Sequence, residues 1–117
     1  MYEYKARVIR VVDGDTIDCD VDLGFHMTAR IRFRLANIDA PEVRGVEKVE
    51  GKAATKWLIN RLDELDNEVI VQTGKTGKYG RWIGNFYPIP DNLTIGELDS
   101  LSDELVKAGH AEYTDYD

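Results

Sequence analysis

A mainly β fold with helix is predicted by three observations. Residues 2–35 hold three successive runs in which every second residue is apolar, the period of a strand with one buried face. An amphipathic helical pattern at 52–65 separates these runs from two further strand-like segments. A chain of 117 residues has room for one core and not for a second domain of ordinary size. Five strands, with a helix between the third and fourth and another after the fifth, predict a five-stranded OB-type Greek-key barrel with two helices. Residues 1–117 form it as a single domain.

The first strand, 2–12, alternates Tyr2, Tyr4, Ala6 and Val8 with Glu3, Lys5 and Arg7. Its phase slips at Val8-Ile9, which predicts a bulge. Asp13-Gly14-Asp15 reads as a turn. In the second strand Ile17, Cys19, Val21 and Leu23 alternate with Thr16, Asp18, Asp20 and Asp22. In the third, Met27, Ala29, Ile31, Phe33 and Leu35 alternate with Thr28, Arg30, Arg32 and Arg34. A three-residue loop at 24–26 pairs Leu23 with Met27. Asp20 then faces Arg30, Asp18 faces Arg32, and Thr16 faces Arg34. A slip of one residue would lose the apolar face and the charge pairing together.

A polar loop at 38–50 follows. The helix at 52–65 places Ala54, Trp57, Leu58, Leu62 and Leu65 on one side. Glu68–Gln72 is the fourth strand, Gly74–Gly80 a turn and Trp82–Tyr87 the fifth strand. Residues 88–100 read as loop. Ser102 is the expected cap of a short helix that Gly109 ends. Trp57 and Trp82 are expected to be core or half-core residues rather than stacking platforms.

The net charge of −7 is unevenly placed. Residues 1–87 hold 14 basic and 14 acidic side chains, so the whole excess lies in 88–117. The balanced part leaves room for a local basic patch and a nucleic-acid partner. The acidic end is expected to face away from any phosphate chain, and its last stretch, 110–117, to be flexible. No apolar run is long enough for a membrane span, and no signal peptide is visible. The single Cys19 excludes an intrachain disulfide. The expected setting is intracellular, in the cytoplasm.

Acidic residues cluster in two turns, Asp13-Gly14-Asp15 and Asp39-Ala40-Pro41-Glu42. Each alone is an ordinary turn, but together they can offer a hard divalent cation several oxygens. Pro41 biases Ala40 toward extended backbone, which can turn the Ala40 carbonyl to the same centre. Arg34, Arg44 and Arg81 flank these turns, and paired guanidiniums suit a phosphate. Arg30 and Arg32 are accounted for by Asp20 and Asp18. Arg34 faces only Thr16 in the predicted register, so it reads as kept for a ligand.

Val12-Asp13-Gly14-Asp15-Thr16, Phe33-Arg34-Leu35-Ala36-Asn37-Ile38-Asp39-Ala40-Pro41-Glu42 and Lys78-Tyr79-Gly80-Arg81 occur in that order. With Ser102–Gly109, they resemble the staphylococcal nuclease (thermonuclease) family over roughly positions 4–113. The resemblance implies an OB-type barrel and a calcium-dependent phosphodiesterase that acts on single-stranded DNA and also on RNA and leaves 3′-phosphates. It implies Ca²⁺ ligation by Asp15, Asp39 and the Ala40 carbonyl. It further implies that Glu42 orients or deprotonates the attacking water, that Arg34 and Arg81 stabilise the transition state, and that Tyr79 and Lys78 contact the nucleotide. The chain departs from the family pattern in its acidic end, with Glu112, Asp115 and Asp117, and in Tyr113 and Tyr116, which fall out of register with the family's second nucleotide-binding tyrosine. A nuclease-like module that binds nucleic acid or protein without efficient catalysis is the alternative. The presence of Arg34, Glu42 and Arg81 together favours the enzyme.

Overall fold

Strand β1 is Tyr2–Asp13, β2 Thr16–Gly24 and β3 Met27–Leu35. A two-residue strand β4, Ile38–Asp39, and a 3₁₀ turn at Gly45–Glu47 lead into helix α1, Lys48–Glu64. Then come β5, Glu68–Thr76, β6, Trp82–Pro88, helix α2, Leu101–Lys107, and a second short strand β7, Glu112–Tyr113. The structure, a computed structural model, describes residues 2–43, 45–76, 80–90 and 98–114. Lys78, Tyr79, Arg44, Asp115, Tyr116 and Asp117 lie outside these residues.

The barrel closes in the order β1-β2-β3-β6-β5, as the five-strand reading expects. Every pairing is antiparallel except β3 with β6, which is parallel and runs only over Phe33–Leu35 against Trp82–Gly84. The β2–β3 register pairs Asp20 with Arg30, Asp18 with Arg32 and Thr16 with Arg34. The ion pairs form: Arg32 Nε donates to Asp18 at 2.7 Å, and Arg30 binds both oxygens of Asp20. Near the tip the register shifts so that Gly24, not Leu23, pairs with Met27. The loop is therefore two residues long. Phe25 and His26 take it at φ 54° and 61°, the backbone of a tight primed turn that matches the twist of the strands. The slip expected at Val8-Ile9 is a register shift between Val8 and Arg10.

The core is the inward face of these strands: Ile17, Cys19, Val21, Phe33, Leu35, Val69, Val71 and Phe86 are essentially inaccessible. Phe33 and Phe86 meet edge to face, with ring centroids 5.3 Å apart. Burial pushes the Cys19 thiol up to about 12, so it stays a protonated core residue. α1 begins four residues earlier than its apolar periodicity indicates. It buries Gly51, Ala54, Leu58 and Leu62 on one stripe.

α2 is capped by Ser100 rather than Ser102. The Ser100 side chain accepts from the Asp103 N–H, and the Asp103 carboxylate accepts from the Ser100 N–H. Ser102 is buried and donates its hydroxyl to the Ala36 carbonyl at 2.8 Å, which fastens α2 to the chain leaving β3. Arg61 of α1 pairs with Glu104 of α2 at 2.7 Å, so the helices hold each other as well as the barrel. No helix among the described residues is long and apolar enough to cross a membrane.

Candidate active site

The sequence-predicted site residues come from three separate places in the chain, and the fold brings them together. Asp13, Asp15 and Thr16 stand at the β1–β2 turn. Arg34 is near the end of β3, Asp39 in β4, Ala40 and Glu42 just beyond it, and Arg81 at the entry to β6. These eight side chains and backbone segments line one cavity of about 120 Å³.

Close backbone packing puts the turns there. A Cβ on Gly14 would lie 2.9 Å from the Ala54 Cβ and 3.1 Å from the Ala40 Cβ, so only glycine lets the β1–β2 turn nest against α1 and the acidic loop. Gly51 is tighter still: its Cβ would fall 1.9 Å from the Glu42 carbonyl oxygen. The first turns of α1 therefore rest directly on the backbone that carries Glu42. The Leu35 N–H donates to the Asp15 carbonyl at 2.8 Å, which ties the β1–β2 turn to the end of β3.

Asp15 is the buried centre of the site, 4% exposed. Its Oδ1 accepts from the Thr16 hydroxyl at 3.1 Å. Its Oδ2 accepts from the Ala40 N–H at 3.0 Å and lies 3.0 Å from Arg34 Nη2. The same Nη2 donates to Asp39 at 3.1 Å and approaches the Ile38 carbonyl at 3.5 Å. Arg34 thus bridges a buried and an exposed carboxylate, and its own side chain is 11% exposed. This corrects the expectation that Arg34, with only Thr16 opposite it in the ladder, is kept for a ligand rather than for the fold. The register with Thr16 is as predicted, but the partners lie across the turns rather than across the ladder. Glu42 and Arg81 are exposed at the cavity's edge.

Four carboxylates against two guanidiniums leave the lining with two negative charges. A phosphate would be repelled by that excess, and one divalent cation cancels it. The donors available to such a cation are all oxygen, the set a hard cation takes. Among the described residues no cluster of three or more His, Cys, Asp or Glu side chains is arranged to hold a metal. A cation here would therefore rest on Asp15, Asp39, a carbonyl and water. The contact that Ala40 makes is through its N–H. Lys78 and Tyr79, expected to contact the nucleotide, lie outside the described residues.

The acidic end does not turn wholly away. β7 pairs with β4, with Asp39 opposite Glu112 and Ile38 opposite Tyr113. A second cavity of about 480 Å³ lies beyond Asp39, walled by Asp39, Glu50, His110 and Glu112 among others. Two-residue strands leave no periodicity to read, so nothing in the sequence marks this pairing. Tyr113 donates its hydroxyl to Asp103 at 2.8 Å. Burial works to raise the Asp103 carboxyl, but the bonds from Tyr113 and Ser100 outweigh it and hold Asp103 below its ordinary value.

The family model described as "Staphylococcal nuclease homologue" matches residues 32–117. A protein named "Micrococcal nuclease" from Shigella flexneri is 37% identical over 112 residues, covering 93% of this chain and 58% of the relative. An "Uncharacterized endonuclease" from Escherichia coli O157:H7 is 32% identical over 113 residues, covering 93% of this chain and 60% of the relative. "Protein ParB" from Escherichia coli is 34% identical over 85 residues, 73% of this chain and 42% of the relative. The chain thus spans about half the length of the curated relatives it matches.

Proposed function

The chain belongs to the family of staphylococcal nuclease homologues, and from that premise we propose that it is a calcium-dependent nuclease that hydrolyses phosphodiester bonds in single-stranded DNA and RNA. The observation that carries this reading is the convergence of Asp15, Arg34, Asp39, Glu42 and Arg81 on one small polar cavity. The names of two relatives, a nuclease and an endonuclease, agree with it.

Hydrolysis must place a fifth oxygen on phosphorus and stabilise the extra negative charge. Asp15, Asp39 and the Ala40 carbonyl would hold the Ca²⁺. The bound ion would supply positive charge at the phosphate and acidify nearby water. Arg81, exposed at the rim, binds a phosphate oxygen. Arg34, whose guanidinium lies between Asp15 and Asp39, is the second cation proposed to face the charge that develops on the phosphate. Glu42, exposed at the cavity's edge, is the proposed acceptor of a proton from the attacking water. With the P–O5′ bond as the one broken, the products carry 3′-phosphates and 5′-hydroxyls. Lys78 and Tyr79 are proposed contacts to the nucleotide.

The test is cleavage of an end-labelled single-stranded oligonucleotide in Ca²⁺ and in chelator, by the wild-type chain and by Glu42→Gln. Cleavage in Ca²⁺ only, with products that kinase labels without prior phosphatase, is the expected result. Full activity in chelator would remove the cation from the reading. Wild-type turnover in folded Glu42→Gln would remove the assigned base.

A further inference from the structure

Asp15 and Asp39, the two carboxylates proposed to hold the cation, are themselves held in different ways. Asp15 is buried, and its oxygens accept from Thr16 and Ala40 and meet Arg34. The Asp39 side chain is 64% exposed, and the bond to its Oδ1 comes from Arg34, the group with which a cation competes for it. Once that bond is given up, the position of the Asp39 carboxylate depends on its backbone.

That backbone is one half of the β4–β7 ladder. The Thr114 N–H donates to the Asn37 carbonyl at 2.9 Å. Bonded and non-bonded pairs alternate along an antiparallel ladder, so with Ile38 opposite Tyr113 the next bonded pair is Asp39 with Glu112. Two strands of two residues hold each other weakly, and both residues of β7 are exposed. Asp39 and Glu112 also set like charges opposite each other, which loosens the pair further. Tyr113 supplies the missing fastening. Its hydroxyl donates to Asp103 Oδ1 at 2.8 Å, while Oδ2 of the same carboxylate accepts from the Ser100 N–H in the capping box of α2. α2 is in turn anchored through Ser102 to the Ala36 carbonyl, shortly before β4. The bond to Asp103 is the main influence that raises the Tyr113 phenol above its ordinary value, so it stays a protonated donor at neutral pH.

We infer that Tyr113 is a positioning residue for cation binding: its bond to Asp103 fastens β7, and β7 holds the Asp39 backbone so that the carboxylate meets the ion already in place. The hydroxyl touches neither the ion nor the substrate and acts only through the main chain of β7 and β4. A purely structural tyrosine would show itself in stability, yet the Tyr113 ring is 59% exposed and buries little. The inference rests on the nuclease reading for the identity of the cation.

The experiment is calorimetric titration of Ca²⁺ into the whole chain, beside residue-resolved amide hydrogen exchange. Tyr113→Phe deletes the hydroxyl and keeps the ring. It should weaken Ca²⁺ binding about 3- to 10-fold, at or below the 10–100-fold usual when an outer partner of a metal ligand is removed, because the main-chain ladder remains. Thr114→Pro deletes the N–H that meets the Asn37 carbonyl and should weaken binding at least as much. Exchange at the Asp39 amide should quicken in both variants. The melting midpoint of Tyr113→Phe without cation should move little, and saturating Ca²⁺ should return its turnover to the wild-type value. Unchanged Ca²⁺ affinity in both variants overturns the role. So does an affinity loss that only follows a large fall in the midpoint, and so does a turnover loss that persists at saturating Ca²⁺ with affinity intact, which would make Tyr113 a contact to the nucleotide. Failure of the calcium reading shows separately, as a wild-type chain that takes up no Ca²⁺. Unchanged Asp39 exchange in both variants overturns the fastening whether or not Ca²⁺ binds.

Discussion

The β2–β3 hairpin and the turn cluster beside it use the same chemistry to opposite ends. Along one face of β3, Arg30, Arg32 and Arg34 repeat at every second position. The first two reach across the ladder to Asp20 and Asp18, and all four side chains keep contact with water. The third stands two residues further on, where the β1–β2 turn and the acidic loop close over it. It bridges Asp15 and Asp39 while nearly buried. Exposed pairs of the first kind are screened by water, contribute little and are replaceable. Breaking a buried pair by removing one partner costs about 3–5 kcal/mol, because the other charge is stranded. An identical residue type at identical spacing is thus a surface ornament at two positions and a structural and chemical hub at the third.

Arg34→Gln breaks this contrast most sharply. It is expected to lower turnover by about two to three orders of magnitude if Arg34 stabilises the transition state as proposed. The thermal midpoint should fall by several degrees, since Asp15 stays buried without its countercharge. The affinity for Ca²⁺ should rise, because Arg34 Nη2 and a cation compete for the same oxygens of Asp15 and Asp39. Calorimetric titration of Ca²⁺ into the folded variant, beside its melting curve, checks both. An unchanged midpoint would show that Asp15 does not depend on this bridge.

Glu42→Gln separates the two halves of that effect. Glu42 is exposed, and its backbone rather than its side chain meets Gly51. Turnover should drop by about 10²–10⁴ if the carboxylate acts on the attacking water. The melting midpoint should stay within the small range usual for surface substitutions, about 0.5 kcal/mol. The loop beneath is more vulnerable than the side chain above it. Gly51→Ala forces α1 off the Glu42 carbonyl and should cost about 1–3 kcal/mol by overpacking, read as a lowered denaturation midpoint.

The barrel's legibility followed where partners were local and patterned. The charges of Asp18, Asp20, Arg30 and Arg32 alternate with apolar residues, so one register satisfies both sets, and the structure adopts it. The site's polar residues were legible as a set from their turns and from family resemblance. The Thr16–Arg34 register already sets Asp15 beside the end of β3, but the bridge from Asp15 through Arg34 to Asp39 depends on a tertiary closure that no strand periodicity encodes. The pairing of β4 with β7 was hidden for a related reason, since two residues carry no period. Ser100 and Ser102 are both plausible caps by composition. The choice falls to Ser100 because Ser102 is drawn inward to the Ala36 carbonyl.

That hidden pairing gives a smaller effect on the acidic flank. Glu112 stands opposite Asp39, so Glu112→Gln removes one negative charge beside the phosphate cavity. Affinity for single-stranded DNA should rise a few-fold at low ionic strength and by less near physiological salt, where the Debye length is about 8 Å. Equal affinities at low salt would show that the β7 side lies outside the field the substrate experiences.

The mildest expected change belongs to the hairpin itself, and it tests whether its pairs matter at all. Hydrogen bonds from Arg32 and Arg30 are the largest influences on Asp18 and Asp20, and they hold both carboxyls below their ordinary value of 3.8. A carboxyl whose folded value is lowered contributes stability that is present above its unfolded value and lost as pH falls through its folded one. The hairpin pairs should therefore stabilise the chain fully near neutrality and progressively less below about pH 4. Replacing both arginines, Arg30→Gln with Arg32→Gln, should lower the thermal midpoint slightly at pH 7 and flatten its decline on acidification. Wild type and double variant should converge at low pH, where the aspartates are protonated in either chain. A constant gap between the two melting curves across pH 7 to 2.5 would mean that the arginines act by packing their stems over β2 rather than through charge.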